Sequence, residues 1–322
     1  MKTHITLRAY PRLHFGLVDL SGATQRSYGG IGAAFEGPST RIDAVDSSHL
    51  DVNLEDLDQE TRASVSRALS NITDRRLKVT GVFAVAERMP SHVGLGSTTA
   101  TTLALLKSMD LINDWGLGST ALIDMSSRGR TSGVGSHTFF DGGLIADVGQ
   151  RAHPTGVYRP SLAPNDRSPS LKLGRWLMPS QWRVHLLFSA TRPSVPPEQE
   201  AEFFSLVTPT EHSETLTQLA ALYHGIVPAA LEEDLIRFAG ALREFQSVGF
   251  KAREIAAQPE IVRATLEVLW SEGLAAGLSS LGPTVFVISE DAGPRLAALL
   301  GGNVEVQGPY ALRNEGYHEF HE

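Results

Sequence analysis

The stretch "MPSHVGLGSTTATTLALL", from Met89 to Leu106, constrains the fold more than any other part of the chain. It follows an alternating apolar segment, residues 77–86, which has the period of a half-buried strand. It leads into a helical run whose apolar residues, from Ala100 to Met109, share one face. Glycines let a backbone approach a ligand closely, and a helix N-terminus attracts anions. The stretch therefore predicts a phosphate-binding loop or, alternatively, a tight strand–helix turn with a hydroxyl N-cap.

Within this loop, Gly94, Gly96, Ser97 and Thr98 are the candidate phosphate-binding residues. Their hydroxyl groups, together with that of Thr99, can donate hydrogen bonds or bind Mg²⁺. The loop is not a Walker A motif, because no Gly-Lys-Ser/Thr follows it. It is not a dinucleotide-binding fingerprint either, because the third glycine is missing.

Composition limits the class of protein. The 322 residues suffice for two domains, and the Pro- and Ser-rich segment 150–180 predicts a boundary between residues 1–160 and 175–322. The chain has no cysteine, which excludes disulfides, thiolate metal sites and a cysteine nucleophile. A net charge of -8 without a basic block argues against nucleic acid as a partner. No signal peptide or membrane-length apolar run is present, so we expect a cytoplasmic protein.

The pattern of predicted elements indicates an α+β fold. Short strands and glycine turns open the chain, and a strand–helices–strand–helix–strand order closes it. The tail "YHEFHE" is predicted to be a frayed terminus. The predicted strands cover residues 5–9, 77–86, 144–148 and 182–190, and the predicted helices cover residues 51–70, 197–224, 228–247 and 250–272.

Two glycine motifs resemble those of the GHMP kinase superfamily. "PSHVGLGSTTATTLAL" is similar to its second motif, and "GLSSLGPTVFVI", residues 277–288, is similar to its third. Three further stretches resemble a narrower family of that fold, the β-ribofuranosylaminobenzene 5′-phosphate synthases. These stretches are "YPRLHFGLVDLSG" (10–22), "YGGIGAAFEGPS" (28–39) and "RTSGVGSHTFFDGGLIADVG" (130–149).

The resemblance implies a two-domain GHMP-kinase-like fold. Its N-terminal domain would be like ribosomal protein S5 domain 2, and its C-terminal domain would be ferredoxin-like. The implied enzyme condenses 5-phosphoribosyl 1-diphosphate with 4-hydroxybenzoate or 4-aminobenzoate, releasing pyrophosphate and CO₂, in tetrahydromethanopterin biosynthesis. Mg²⁺ would neutralise the departing diphosphate. The resemblance also implies a homodimer that binds small molecules and no membrane.

Arg12 and His14 are two residues apart, so in an extended segment both side chains point to one face. We predict that Arg12 binds a carboxylate and that His14 moves a proton; the alternative is a surface ion pair and a turn cap. His137 is a second candidate proton carrier, and Asp141 is the candidate metal ligand. The alternative is that Asp141 fixes a turn.

The remaining candidates would bind the substrates. Tyr28, Gly29 and Gly30 would line the aromatic acceptor or form a plain hairpin turn. A second group lies near two glycine turns and would grip phosphates, namely Arg128, Ser132, Gly133, Ser279, Ser280 and Gly282.

Two other functions stay open. An ATP-dependent small-molecule kinase has the same fold, but many such kinases carry a catalytic aspartate where this chain has Gly135. A catalytically silent ligand-binding protein is the third possibility, although both glycine motifs are intact.

Overall fold

A computed structural model describes residues 3–151, 158, 168–189, 197–290, 293–300 and 304–321. The strands are β1 His4–Ala9, β2 Arg12–Asp19, β3 Arg26–Ala34, β4 Thr40–Val45, β5 Leu50–Asn53, β6 Gly81–Glu87, β7 Leu144–Asp147, β8 Gln150–Arg151, β9 Lys172–Trp176, β10 Arg183–Ser189, β11 Ala275–Leu278, β12 Val285–Ser289, β13 Val304–Ala311 and β14 His318–His321.

The helices are α1 Gln59–Asp74, α2 Ser97–Ile112, α3 Ser119–Ser126, α4 Val134–Asp141, α5 Pro197–Val207, α6 His212–Ala221, α7 Val227–Leu231, α8 Leu235–Gln246, α9 Gly249–Ala256, α10 Glu260–Ser271 and α11 Gly293–Leu300. A π-helical turn, Leu222–Ile226, joins α6 to α7. Within the described residues, no helix is both long and apolar enough to cross a bilayer.

Three sheets organise the chain. One has the strand order β14-β1-β4-β6-β5, a second has the order β11-β12-β10-β13, and a third runs β2-β3-β7-β9 with β8 paired to β3. Strand β9 follows the predicted boundary segment's first half, but it pairs with β7 and so extends the sheet of β2 and β3. Strand β14 pairs with β1, so the two ends of the described chain meet. The division into residues 1–160 and 175–322 stays a prediction.

Helix α2 is the central helix of one core. The predicted face from Ala100 to Met109 is buried, and Leu103 is fully buried among side chains of α1, α3, β1 and β4. A second core joins β2 and β3 to the later strands and α8, through large side chains such as Phe15, Phe238 and Phe286. Burial of this aromatic and aliphatic surface is the main force that holds β2 and β3 against the later strands and α8.

Several predicted elements differ from the observed ones because local signals break longer patterns. The predicted helix 51–70 is wrong at its start: β5 covers residues 50–53, and Asp58 caps α1 by accepting from the Thr61 amide. The predicted helix 250–272 is two helices, with Pro259 at the N-cap of the second. Likewise, the predicted stretch 197–224 divides near Pro209 into α5 and α6.

The prediction of a frayed tail is also wrong. Residues 318–321 form β14, whose pairing with β1 supplies backbone hydrogen bonds that composition does not reveal. Helices α3 and α4 were not predicted, since their segments are rich in glycine and hydroxyl residues. About half of the predicted boundary segment, residues 152–157 and 159–167, lies outside the described residues.

Candidate active site

An open cleft of about 630 Å³ lies where β2, α2, α4 and α9 converge. Arg12 and His14 of β2 both line it, as the predicted extended segment requires. Arg128, which follows α3, adds a second guanidinium group to the wall of the cleft. The Thr99 hydroxyl of α2 also lines it. The cleft is therefore a polar site with guanidinium groups and hydroxyls facing one space, the chemistry that binds phosphates and carboxylates.

The glycine loop has the predicted backbone geometry. Gly94 and Gly96 adopt φ values of 84° and 86°, the left-handed region that favours glycine. Helix α2 begins directly after them at Ser97, so its free N–H groups lie beside the loop. A Cβ on Gly96 would lie 3.3 Å from Cζ of Arg12, which shows how closely the guanidinium packs on the loop.

The two predicted glycine motifs contact each other. Ser279 donates from Oγ to the carbonyl of Gly94 at 2.8 Å and accepts from the backbone N–H of His14 at 3.1 Å. Its side chain is fully buried. Thus Ser279 holds the loop against β2 and does not line the cleft, whereas its neighbour Ser280 does.

Arg12 is fixed from one side and open to hydrogen bonding on the other. Its Nη1 donates to the carbonyl of Gly94 at 2.6 Å, and its buried Nε has no hydrogen-bond partner among the described residues. Burial, and secondarily the charge of Arg128, lowers the pKa of Arg12 to about 10. An anion bound here would relieve both the unpaired donor and the repulsion between the two guanidinium groups.

Arg128 has a more anchored position. Its Nε donates to Thr99 Oγ1 at 3.0 Å, and its Nη1 lies 4.0 Å from Glu60. This orients the guanidinium at the N-terminus of α2. Two arginines and a helix N-terminus thus surround one volume, as an anion site requires.

His14 belongs to a buried polar chain. Its Nε2 lies 3.0 Å from Ser132 Oγ, which in turn lies 3.1 Å from Asp147 Oδ2. Burial, followed by the positive charges of Arg12 and Lys251, holds the pKa of His14 well below its usual value. Burial raises the pKa of Asp147 to about 6, against the hydrogen bonds that it accepts. His14 is therefore a neutral imidazole at neutral pH.

A buried ion pair joins Lys251 to Glu254, which lines the cleft. Lys251 Nζ lies 2.5 Å from Glu254 and donates to the carbonyl of Ser280 at 2.6 Å. Ser280 donates its backbone N–H to the carbonyl of His14 at 3.0 Å. Burial lowers the pKa of Lys251 and raises that of Glu254, which their mutual attraction opposes. The pair fixes the second glycine motif behind His14.

None of the four predicted phosphate-loop residues lines the cleft itself, although Gly96 packs against the Arg12 guanidinium that does. The Thr98 hydroxyl lies 3.2 Å from that of Thr61 on α1, inside the core. Thr99, one residue later, lines the cleft. Ser97 is buried at the start of α2. Rotation of about 100° per residue along a helix explains why adjacent hydroxyls face different partners.

The structure places the three predicted acceptor-binding residues in different surroundings. Gly30 lies in β3 beside the polar chain: a Cβ there would be 2.9 Å from Ser132 Oγ and 3.1 Å from His14 Nε2. Gly29 is also in β3, where a Cβ would strike the carbonyl of Asp147. Tyr28 is buried, packs edge-on against Tyr158 and lines a separate cavity. Neither glycine is in the hairpin turn offered as the alternative.

The structure does not bring His137 or Asp141 to the cleft. His137 lies at 3.1 Å from the carbonyl of Ser170, and burial lowers its pKa. Asp141 forms an ion pair of 2.8 Å with Lys172. Within the part of the chain that the structure describes, no three metal-ligating side chains cluster. The Asp141 carboxylate is thus occupied by a lysine, which leaves its predicted metal role without support.

Gly133 and Gly282 are the remaining glycines among the predicted site residues. Gly133 donates its N–H to Asp147 at 2.9 Å and forms the turn before α4. Gly282 has a φ of 82° and packs against Gln258 behind the second motif. Gly135 lines the cleft, and a Cβ there would lie 3.7 Å from Arg12 Nε. An aspartate at this position would face the guanidinium.

Sequence comparison identifies full-length relatives. The chain is 28% identical to the β-ribofuranosylphenol 5′-phosphate synthase of Methanothermobacter thermautotrophicus over 320 residues, covering 96% of this chain and 95% of the relative. It is 28% identical to the enzyme of that name from Archaeoglobus fulgidus over 286 residues, covering 89% and 88%. The chain is similar to these synthases over most of its length. The resemblance in the motifs is confirmed. No protein-family model matches the chain.

Structure comparison confirms the α+β, GHMP kinase-like fold of the chain. Homoserine kinase from Cytophaga hutchinsonii superposes with a TM-score of 0.66 at 15% identity, covering 98% of this chain and 97% of that one. A structure of MDDEF in complex with MVAPP, AMPPCP and magnesium superposes with a TM-score of 0.64 at 12% identity, covering 100% of both chains. At such identities the likeness concerns the fold alone.

Sequence reasoning missed several residues at or behind the candidate site. Asp147 ends the apolar strand "LIAD", and a lone carboxylate in a buried strand was the signal that could have revealed it. Lys251 and Glu254 are three residues apart on a helix, a common spacing for surface pairs, so nothing local marked them as buried.

Proposed function

We propose that this chain transfers the 5-phosphoribosyl group of 5-phosphoribosyl 1-diphosphate to the ring of an aromatic acid. The bond between ribose C1 and the diphosphate oxygen breaks, and its electrons leave with pyrophosphate. The ring carbon that carries the carboxylate attacks C1, and loss of CO₂ returns an electron pair to the ring. The relatives are named for a ribofuranosylphenol, which is the product expected from 4-hydroxybenzoate.

One observation carries the proposal: Arg12 and Arg128 flank the N-terminus of α2 with no carboxylate at Gly135. Both substrates are anions, so a cationic cleft suits them. Arg12, with its unpaired buried Nε, would bind a phosphate or the acceptor carboxylate. The N–H groups at Gly96 and Ser97 would bind the other phosphate end.

Mg²⁺ does not fit a protein-built site in this cleft. Among the residues lining it, Glu254 is the one carboxylate, and it is ion-paired with Lys251. Mg²⁺ binds substrate phosphates readily with few protein ligands. We therefore treat Mg²⁺ as part of the diphosphate substrate, and no step of the proposal is assigned to it.

The alternative is phosphoryl transfer from ATP, which the fold of homoserine kinase favours. The position at which many such kinases carry a catalytic aspartate is Gly135 in this cleft, so that carboxylate base is missing. The homodimer and the place in tetrahydromethanopterin biosynthesis remain proposals drawn from the family.

The test is release of ¹⁴CO₂ from carboxyl-labelled 4-hydroxybenzoate and 4-aminobenzoate with 5-phosphoribosyl 1-diphosphate and Mg²⁺. A parallel reaction replaces the diphosphate substrate with ATP. We expect release that requires the ribosyl donor, with 4-hydroxybenzoate preferred, and a loss of at least about 100-fold in kcat/KM in Arg12→Gln. Arg237→Gln is the matched control, because Arg237 is 73% exposed on α8. No release from either acid would refute the proposal.

A further inference from the structure

A three-residue hydrogen-bond chain links the cleft to a buried carboxylate. His14 Nε2 lies 3.0 Å from Ser132 Oγ, and Ser132 Oγ lies 3.1 Å from Asp147 Oδ2. His14 is 7% exposed and Asp147 is 3% exposed, so the chain is shielded from solvent competition. His14 also lines the cleft.

The donors and acceptors of this chain fix the position of its protons. The Asp147 carboxylate accepts from the N–H groups of Gly133 and Gly149 at 2.9 Å each, so Ser132 must donate its hydroxyl proton to it. The lone pairs of Ser132 Oγ then accept from the Val134 N–H at 3.2 Å and from His14. A hydroxyl has two lone pairs, so this set is complete.

It follows that the proton of neutral His14 sits on Nε2. The other ring nitrogen, Nδ1, then carries a free lone pair. This atom is buried and has no hydrogen-bond partner within the residues that the structure describes. Buried acceptors are normally satisfied, and an unsatisfied one in the wall of a cleft points to a donor supplied by a ligand.

The charges around His14 restrict what it can do with a proton. Arg12 on the same strand and Lys251 on α9 both oppose an imidazolium, and Glu254 is engaged by Lys251. A proton taken up at Nδ1 therefore leaves most easily from Nε2 towards Ser132. Asp147, whose pKa burial raises to about 6, is a competent acceptor at the end of this path.

We propose that Asp147 is a positioning residue that acts through Ser132 on His14 and receives a proton released by the substrate. The inference rests on the proposed function and concerns the 4-hydroxyl of the aromatic acceptor. The O–H bond of that hydroxyl breaks as N–H forms at His14 Nδ1. The Nε2 proton passes to Ser132 Oγ, whose own proton passes to Asp147. The result is a phenolate, a neutral Asp147 and a neutral His14 of the opposite tautomer. The phenolate makes the ring carbon a better nucleophile.

The first test needs no substrate. The full chain is labelled with ¹⁵N-histidine, and its ring nitrogens are recorded by NMR near pH 8. The chain has 11 histidines, so the signal absent in His14→Gln provides the assignment. We expect a neutral ring with the proton on Nε2 and a bare Nδ1. A proton on Nδ1, or an imidazolium, would overturn the inference whether or not the enzyme releases CO₂.

The second test separates the relay from structural support. Ser132→Ala breaks the chain, and Ser132→Thr retains the hydroxyl. We expect kcat to fall about 100-fold in the alanine variant, with KM for the ribosyl donor within about twofold, and to recover to within about threefold in the threonine variant. Asp43→Asn, a carboxylate on β4 bonded to Thr6, is the control and leaves kcat unchanged. Equal loss in both Ser132 variants contradicts the relay. Absence of activity in the unmodified chain refutes the proposed function, while the NMR result still decides the chain of protons.

Discussion

Ser279 Oγ donates a hydrogen bond of 2.8 Å to the carbonyl oxygen of Gly94, across a sequence separation of 185 residues. Ser279 Oγ also accepts a hydrogen bond from the backbone N–H of His14, at 3.1 Å. One buried hydroxyl therefore joins both glycine motifs to the strand that carries Arg12 and His14. The shape of the cleft depends on this contact, although Ser279 does not line it.

Ser279→Ala should lower the free energy of unfolding by about 1–3 kcal/mol, because the buried N–H of His14 loses its acceptor. We also expect KM for the ribosyl donor to rise, since the Gly94 carbonyl then keeps only its hydrogen bond from Arg12 Nη1. Urea unfolding and steady-state kinetics measure both effects. Ser66→Ala, an exposed serine that bonds within α1, should change neither. Wild-type stability and KM in Ser279→Ala would show that the contact is dispensable.

Gly96→Ala tests how closely Arg12 packs on the loop. Gly96 has a φ of 86°, and an added Cβ would lie 3.3 Å from the Arg12 guanidinium. Moving that group should raise KM for the ribosyl donor about tenfold or more, the effect of weakening one charge-assisted hydrogen bond.

Gly116→Ala is the matched control for this variant. Gly116 has a φ of 66° and no atom within 4 Å of the added Cβ. Both variants should lose about 1–2 kcal/mol of stability from left-handed backbone strain. Only Gly96→Ala should change KM. If the two behave alike in the kinetic assay, the guanidinium is not held by the loop.

Gly135→Asp should block anion binding. A side chain here points to Thr99 and Arg12, at 3.6 and 3.7 Å from Cβ. The new carboxylate would pair with Arg12 and repel the substrate phosphates, raising KM about 100-fold, as like charges in a binding site cost several kcal/mol. Isothermal titration with 5-phosphoribosyl 1-diphosphate measures the loss directly. Gly135→Ala, which meets only ordinary van der Waals contacts, should bind as the parent does.

The sequence predicted the parts of this site that have strong local patterns. The glycine loop before α2 is recognisable because its turn geometry requires glycine and its helix has a periodic apolar face. The common face of Arg12 and His14 follows from strand alternation. Ser132 and Arg128, which the sequence predicts to bind phosphate at a second glycine turn, both line the cleft.

The rest depends on contacts between distant segments. Nothing near Lys251 indicates that its helix packs under β2, and nothing near Ser279 indicates that its hydroxyl is consumed by Gly94. The choice of Thr98 over Thr99 failed for a different reason. To decide which of these two hydroxyls faces the cleft, one must know the rotation of α2 about its axis. That rotation is set by packing against Thr61 and the core.

Lys251→Met should destabilise the chain by about 3–5 kcal/mol, because it leaves the buried Glu254 carboxylate without its partner. The double variant Lys251→Met, Glu254→Leu should recover more than about half of this loss, since the unpaired charge is removed as well. Urea unfolding of the four proteins in this cycle supplies the measurement. Independent, additive losses would contradict a coupled pair.

The pH dependence of stability reports on Asp147. Burial raises its pKa from 3.8 to about 6, so the native state binds this proton more tightly than the unfolded state does. Its contribution to stability is therefore fully present below about pH 4 and is lost as the pH rises through about 6.

The test compares the free energy of unfolding of the parent chain with that of Asp147→Asn from pH 4 to pH 7.5. The asparagine variant leaves one of the Gly133 and Gly149 N–H groups unsatisfied, a constant cost at every pH. Relative to the parent, it should gain stability with rising pH, by up to about 3 kcal/mol in total. Asp43→Asn controls for the change of residue type at a half-exposed site. A difference that stays flat with pH would mean that Asp147 titrates in the native state as it does in the unfolded chain.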